Sequence, residues 1–192
     1  MEHTQSMSII IGPQPLKHVQ EHVYVKVVIV GDGCVGKTSL RLRYLGEEVR
    51  YSYLATVGAD FAIKNIEYDG IKISLGIFDL AGQPQYLDVR KLFYYDTRGG
   101  LLVYDRTRPE SLVNLQMWWK ELKKNSQFEN LHISVIGNKS DLKPRIDIED
   151  GKRFAKRINA PHYTSSAITG ENVEKIFNSM TIEIWKSITQ AL

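Results

Sequence analysis

The chain has 192 residues, of which 43% are hydrophobic and 24% charged. That is enough apolar matter for one domain burying about 70% of its unfolded surface, and too much for a disordered chain. A net charge of +3 is too small for a nucleic-acid footprint; the single cysteine, Cys34, excludes an internal disulfide and a cysteine zinc cluster and points to a reducing compartment.

Residues 1–21 hold Gly12, Pro13 and Pro15 among polar residues. Their only apolar run, Ile9-Ile10-Ile11, is too short for a signal-peptide core, so this stretch reads as a flexible extension. One domain is expected over 22–192, and no run in it approaches the roughly 20 apolar residues that span a bilayer. The first strand is Val23–Val30. Ala59–Tyr68 alternates in polarity, and Asp69-Gly70 should turn it back as a hairpin into Ile71–Phe78. Gly100–Tyr104 and Leu131–Ile136 are further strands. Three of these runs approach continuous hydrophobicity, which marks strands covered on both faces.

Helical stretches lie between the strands. Thr107-Arg-Pro-Glu110 has capping-box spacing with Pro109 in the first turn, leading into Leu112, Leu115, Trp118, Trp119 and Leu122. Asp147 is expected to cap a helix running to Asn159. The last helix, from about Asn172, carries Val173, Ile176, Phe177, Met180, Ile184 and Ile188 at helical spacing. Trp118, Trp119 and Trp185 read as core. Strands alternating with helices predict an α/β doubly wound domain whose ligand sits at the carboxyl ends of the strands.

The loop after the first strand, Gly31-Asp-Gly-Cys-Val-Gly-Lys-Thr38, satisfies Gly-x4-Gly-Lys-[Ser/Thr]. Such a loop turns successive N–H groups toward phosphate oxygens, and the following helix adds its positive dipole end. Gly33, Cys34, Val35, Gly36, Lys37, Thr38 and Ser39 are therefore candidate phosphate contacts. Lys37 would reach the β and γ phosphates, and the Thr38 hydroxyl would ligate Mg²⁺. Gly33, without a side chain near the γ-phosphate, leaves room for an arginine from a partner. Gly31-x-Gly33-x-x-Gly36 also fits a dinucleotide fingerprint, so an oxidoreductase is a rival. That reading needs an acid about 20 residues on; residues 50–57 hold none, and it leaves Lys37-Thr38 unexplained. A plain Gly-rich turn is the bland alternative.

Two further segments stand in the order a P-loop protein requires. Asp79-Leu-Ala-Gly82-Gln83 ends a strand, placing a carboxylate as second Mg²⁺ anchor, a glycine against the terminal phosphate and a glutamine able to orient water. Alone, an acid and a glycine there more often make a turn. Asn138-Lys139-Ser140-Asp141, the expected base-reading element with Asn138, Lys139 and Asp141 at the nucleotide, follows the strand Leu131–Ile136. The Asp141 carboxylate only accepts hydrogen bonds, which suits guanine's ring N–H and amine and repels adenine's ring lone pair.

These residues resemble the Ras-type small GTPases, the Rab branch most closely, from about Val23 to the last helix. Thr56-Val-Gly-Ala-Asp-Phe61 is similar to the Rab first switch, and Phe93-Tyr-Tyr95 with Gly100–Asp105 follows the second. The resemblance implies a P-loop NTPase fold: a six-stranded, mostly parallel sheet with one antiparallel edge strand and helices on both faces. It implies a GTPase domain over 22–192, monomeric and Mg²⁺-dependent, that binds GTP and GDP. Thr56 would join Thr38 and Asp79 as metal ligands and, with Tyr53, border the nucleotide. Ser166-Ala167-Ile168 would form the fifth guanine motif.

Gln83 and Lys37 would be catalytic, with slow intrinsic turnover because no internal arginine finger is evident; Arg50 and Arg90 are only nearby in sequence. Effectors, exchange factors and GTPase-activating proteins would read segments 50–60 and 80–96, with Tyr53, Phe61, Phe78 and Tyr94 on that surface. The sequence departs from the family at Phe78 and Leu80, at Ile168 in place of a lysine, and at Val49 where an aromatic usually meets the base. Ser187–Leu192 holds no cysteine for prenylation, so a cytoplasmic location is expected and peripheral membrane contact is left open. The alternative is a GTP-binding interaction module with little or no hydrolysis; the retained Gln83 and Thr56 argue against it.

Overall fold

In the computed structural model, which describes residues 22–49, 56 and 58–190, the expected N-terminal extension and Tyr53 lie outside the described residues. The elements run β1 (His22–Val30), α1 (Lys37–Leu45), β2 (Ala59–Tyr68), β3 (Ile71–Leu80), α2 (Leu87–Tyr94), β4 (Gly99–Asp105), α3 (Pro109–Val113), α4 (Leu115–Asn125), β5 (His132–Asn138), α5 (Ile148–Arg157), β6 (His162–Thr164) and α6 (Val173–Gln190). The six-stranded sheet has the order β2-β3-β1-β4-β5-β6. Only the β2–β3 pair is antiparallel, so the fold is the expected one.

Strand β1 explains the layering. Val25, Val27 and Ile29 point into one core with Leu40 and Tyr44 of α1 and Ile176, Phe177, Met180 and Ile184 of α6. Val28 and Val30 point into the other, with Tyr94 of α2, Leu115, Trp118 and Leu122 of α4 and Phe154 of α5. From Val27 to Val30 the strand is buried on both faces and has no polar side to show, hence its unbroken apolar run there. The hairpin forms at Asp69-Gly70, where both residues take positive φ (53° and 74°), as a two-residue turn matched to strand twist requires.

Three strands extend past their apolar runs, to Leu80, Asp105 and Asn138, and so carry Asp79, Asp105 and Asn138 in the ladder. Those polar ends are where the chemistry collects. Asp147 caps α5 as expected, accepting from the Glu149 N–H at 3.0 Å. The Thr107 capping box does not form: the hydroxyl of Thr107 donates to Asp105 Oδ1 at 2.7 Å, and Arg108 takes the N-cap without a side-chain bond. The single helix expected there is two, α3 and α4, meeting at Asn114. Trp118 is buried as expected, but Trp119 and Trp185 are only half-buried, Trp185 meeting the Tyr68 ring edge-on at 5.3 Å. Strand β6 is too short, at three half-buried residues, to leave a periodic signal.

Candidate functional site

Parallel strands β1, β3, β4 and β5 end on one side of the sheet, and their following loops meet there. The chain leaves β1 at Val30, turns through Gly31–Gly36 and enters α1 at Lys37. Gly36 has φ 98°, and a Cβ there would lie 2.2 Å from Asn138 Nδ2, so only glycine fits. Val35 is fully buried, which leaves its main chain for a ligand. Ser39 is half-buried in the first turn of α1, and Cys34 is exposed with φ 63°.

Lys37 is 6% exposed, and its ammonium donates to the carbonyls of Gly31 and Asp32, both at 2.8 Å. Burial pulls its pKa down to about 8, against the pull of the Asp79 and Asp32 charges. A buried ammonium bonded to neutral carbonyls is a cation waiting for an anion.

Beside it the Thr38 hydroxyl donates to Asp79 Oδ2 and lies 3.1 Å from the Thr56 hydroxyl. Asp79 is fully buried, and its Oδ1 has no hydrogen-bond partner. Burial raises its pKa, opposed by the Thr38 bond and the Lys37 charge. One carboxylate and two hydroxyls form an all-oxygen set, suited to a hard cation that keeps waters and phosphate oxygens as its other ligands, as Mg²⁺ does. The orphaned Asp79 oxygen fits that role. Among the described residues no group of three or more His, Cys, Asp or Glu side chains offers an alternative metal site.

The turn after β3 presses on this loop. A Cβ on Gly82 would stand 2.5 Å from Gly33 N and 2.6 Å from the Asp32 carbonyl carbon. Gln83 follows, half-buried, its carbonyl accepting from Arg90 at 2.8 Å and its Oε1 buried without a partner. A Cβ at Gly33 would meet nothing within 4 Å, which preserves the expected space for an incoming side chain.

The two loops expected to read the base lie side by side because β5 and β6 pair in parallel, Gly137 opposite Thr164. Ser140 N donates to Ser165 O at 2.9 Å. Asn138 and Lys139 also staple the loops together. Asn138 Nδ2 donates to Val35 O at 2.9 Å and its Oδ1 accepts from Ser165 at 3.2 Å. Lys139, at φ 65°, holds Asp105 Oδ2 at 2.7 Å. Burial pushes Asp105 up, but hydrogen bonds from Lys139 and Thr107 outweigh it and keep the carboxyl below its usual range. Asp141 is exposed. Ser166 and Ala167 are buried, the Ser166 hydroxyl accepting from Thr169 N at 3.1 Å, and Ile168 is 42% exposed.

Of the residues expected on the partner surface, Phe61 is 63% exposed and stacks on half-buried Phe78 at 5.7 Å. Tyr94 does not belong with them. It is fully buried, its hydroxyl donating to Glu121 Oε1 at 2.8 Å, because it lies on the face of α2 turned toward α4. Sequence reasoning missed the residues that grip the loop from outside: Arg108, donating to Gly33 O at 2.7 Å, and Asn114 and Trp118, each donating to the Asp32 carboxylate at 2.8 Å. The one available signal was Asp32 itself, a carboxylate where phosphate binding has no use for one.

A glycine loop between a buried strand and a helix, closing on an unneutralised lysine with a hydroxyl–carboxylate cluster alongside, is the architecture of a P-loop nucleotide-binding protein. The Ras family model matches residues 26–186, and the chain belongs to that family. It is thereby a GTP-binding switch GTPase in the general sense, and the dinucleotide reading of Gly31–Gly36 falls away.

Proposed function

We propose that residues 22–192 form a Mg²⁺-dependent, Rab-like GTP hydrolase whose switch segments are read by partner proteins. The observation that carries this is the buried Lys37 ammonium beside the Thr38–Thr56–Asp79 oxygen cluster. Lys37 and the N–H groups of Gly33–Thr38 hold the β and γ phosphates, preorganised for the charge that grows during transfer. Thr38, Thr56 and Asp79 would hold Mg²⁺, which would supply neutralisation of the phosphate oxygens. The Gln83 side chain, whose oxygen has no protein partner, orients water for in-line attack on the γ-phosphorus; the bond to the bridging oxygen breaks, its electron pair leaves with GDP, and the water's proton passes to an oxygen of the released phosphate. Asp141 accepts the guanine N–H groups, and Ala167 offers its main-chain N–H to the guanine carbonyl.

Thr56 releases on hydrolysis, so segments 50–60 and 80–96 report nucleotide state to effectors, exchange factors and activating proteins. An arginine supplied by a partner into the space over Gly33 would raise turnover by roughly 10³–10⁵. The proposed location is cytoplasmic, with peripheral membrane contact left open. Among the described residues no helix is long and apolar enough to cross a membrane. The test is the nucleotide released on denaturation, followed by single-turnover phosphate release from the protein and from Gln83→Leu. Guanine nucleotide and a slower variant are expected. Equal rates would move the reading to a GTP-binding module that barely hydrolyses.

A further inference from the structure

We infer that Arg90 is a positioning residue for hydrolysis: through Glu121, Trp118 and Asp32 it sets the main chain on both sides of Gly82 against the phosphate loop, and so aims Gln83. This rests on the hydrolase reading above.

Arg90 is 2% exposed on α2, and its donors are divided between two targets. Nη1 donates to the carbonyls of Ala81, at 3.1 Å, and Gln83, at 2.8 Å. Nε and Nη2 donate to the two oxygens of Glu121, at 2.9 and 3.1 Å. The guanidinium carbon also lies 4.6 Å from the centre of the Trp118 ring. Trp118 in turn donates its N–H to Asp32 Oδ1 at 2.8 Å, while Asn114 holds the other oxygen at 2.8 Å. An unbroken path of contacts thus runs from the Gln83 carbonyl to the phosphate loop, by way of α4.

Two features separate this from an ion pair that merely stabilises. Pairing with Glu121 alone would satisfy the charge, yet one nitrogen bonds both carbonyls that bracket Gly82. Those carbonyls belong to the turn between β3 and the 3-10 turn Pro84–Tyr86. The same turn is tied from the other side, where Ala81 N donates to Gly58 O at 2.9 Å, in the segment that follows Thr56. Arg90 therefore closes a ring around Gly82, with the first-switch backbone on one side and the phosphate loop on the other. A planar fork spans two carbonyls and two carboxylate oxygens at once; a point-charge ammonium does not.

The test uses the full chain loaded with GTP and Mg²⁺. Variants are Arg90→Lys, which keeps the charge, and Glu121→Gln, which keeps the shape. Single-turnover phosphate release should fall by up to about 10²-fold in Arg90→Lys, the scale of an ångström-level misplacement, and by less in Glu121→Gln. GTP and GDP dissociation constants should stay at wild-type values. With Trp119→Phe and Trp185→Phe as background, Trp118 emission should differ between GTP and GDP forms, and the difference should vanish with Arg90→Lys. Wild-type hydrolysis in Arg90→Lys, or affinity and melting temperature falling together with rate, would overturn the inference. If the unmodified protein released no phosphate, the hydrolase reading would fail first. Trp118 emission would then decide alone, a nucleotide-dependent signal that survives Arg90→Lys refuting the brace.

Discussion

Replacing Gly82 with alanine tests whether the turn after β3 must touch the phosphate loop. The backbone of Gly82 does not lie in the left-handed region, so alanine is acceptable conformationally and space alone decides. The added Cβ would stand 2.5 Å from Gly33 N, 2.6 Å from the Asp32 carbonyl carbon and 2.7 Å from Gly31 O. Against an ordinary contact of 3.4 Å the shortfall is 3.4 − 2.5 = 0.9 Å. All three atoms are main chain, so no side chain can swing aside. The loop is pinned from outside by Arg108, Asn114 and Trp118, which leaves the Gln83 turn to retreat by about 1 Å.

Displacement on that scale costs on the order of 10²-fold in rate, or about 2.7 kcal/mol of barrier, with overpacking adding about 1–3 kcal/mol of instability. Single-turnover phosphate release and thermal unfolding measure the two. Gly33→Ala is the control, since its Cβ meets no atom within 4 Å; it should fold as well as the parent. Wild-type hydrolysis and stability in Gly82→Ala would refute the close contact on which the argument depends.

Asp141→Asn should shift preference from guanosine to xanthosine triphosphate, because the new amide donates where the carboxylate accepts; unchanged GTP preference in competition binding would mean another residue reads the base. Stability should decline as pH falls from about 6.5 toward 4. Burial, with the Lys152 and Arg106 charges, pulls His162 down to about 4 and burial also lowers His132, so the unfolded chain takes up protons the folded one refuses. Melting curves at pH 7.5 and 5 should show the loss, and His162→Gln, which also replaces the Tyr104 contact at 3.0 Å, should flatten it; an equal slope in the variant would contradict the assignment. Phe177, 2% exposed and stacked on Tyr44 at 4.3 Å, should cost about 3–5 kcal/mol when cut to alanine, measured by denaturant unfolding at unchanged nucleotide affinity.

Much of the site was readable beforehand, for a reason visible in each motif. Gly36, Lys37 and Thr38 act within one turn of chain, so their spacing carries their geometry. Asp79 and Asn138 sit at strand ends, where parallel topology brings them together without further information. Roles blurred where a side chain had a choice of partners. Asn138 and Lys139 were expected at the base, and the fold gives them a second task, stapling Val35 and Asp105. Thr107 had a cap's spacing, but the Asp105 carboxylate outcompeted the helix for its hydroxyl. Tyr94 read as partner surface from its place in segment 80–96 and is buried, since the register of α2 on α4 was not written locally.

The order of strands and helices, the two-sided burial of the sheet and the phosphate loop followed from residues near one another in the chain, where hydrophobic period and turn chemistry act directly. Only the folded molecule decided that Arg90 would clasp Glu121, that Trp118 would reach Asp32 across 86 positions, and that Arg108 would reach Gly33 across 75. Such pairs depend on the directions in which packed helices aim their side chains over the sheet, and a one-dimensional pattern has no term for direction.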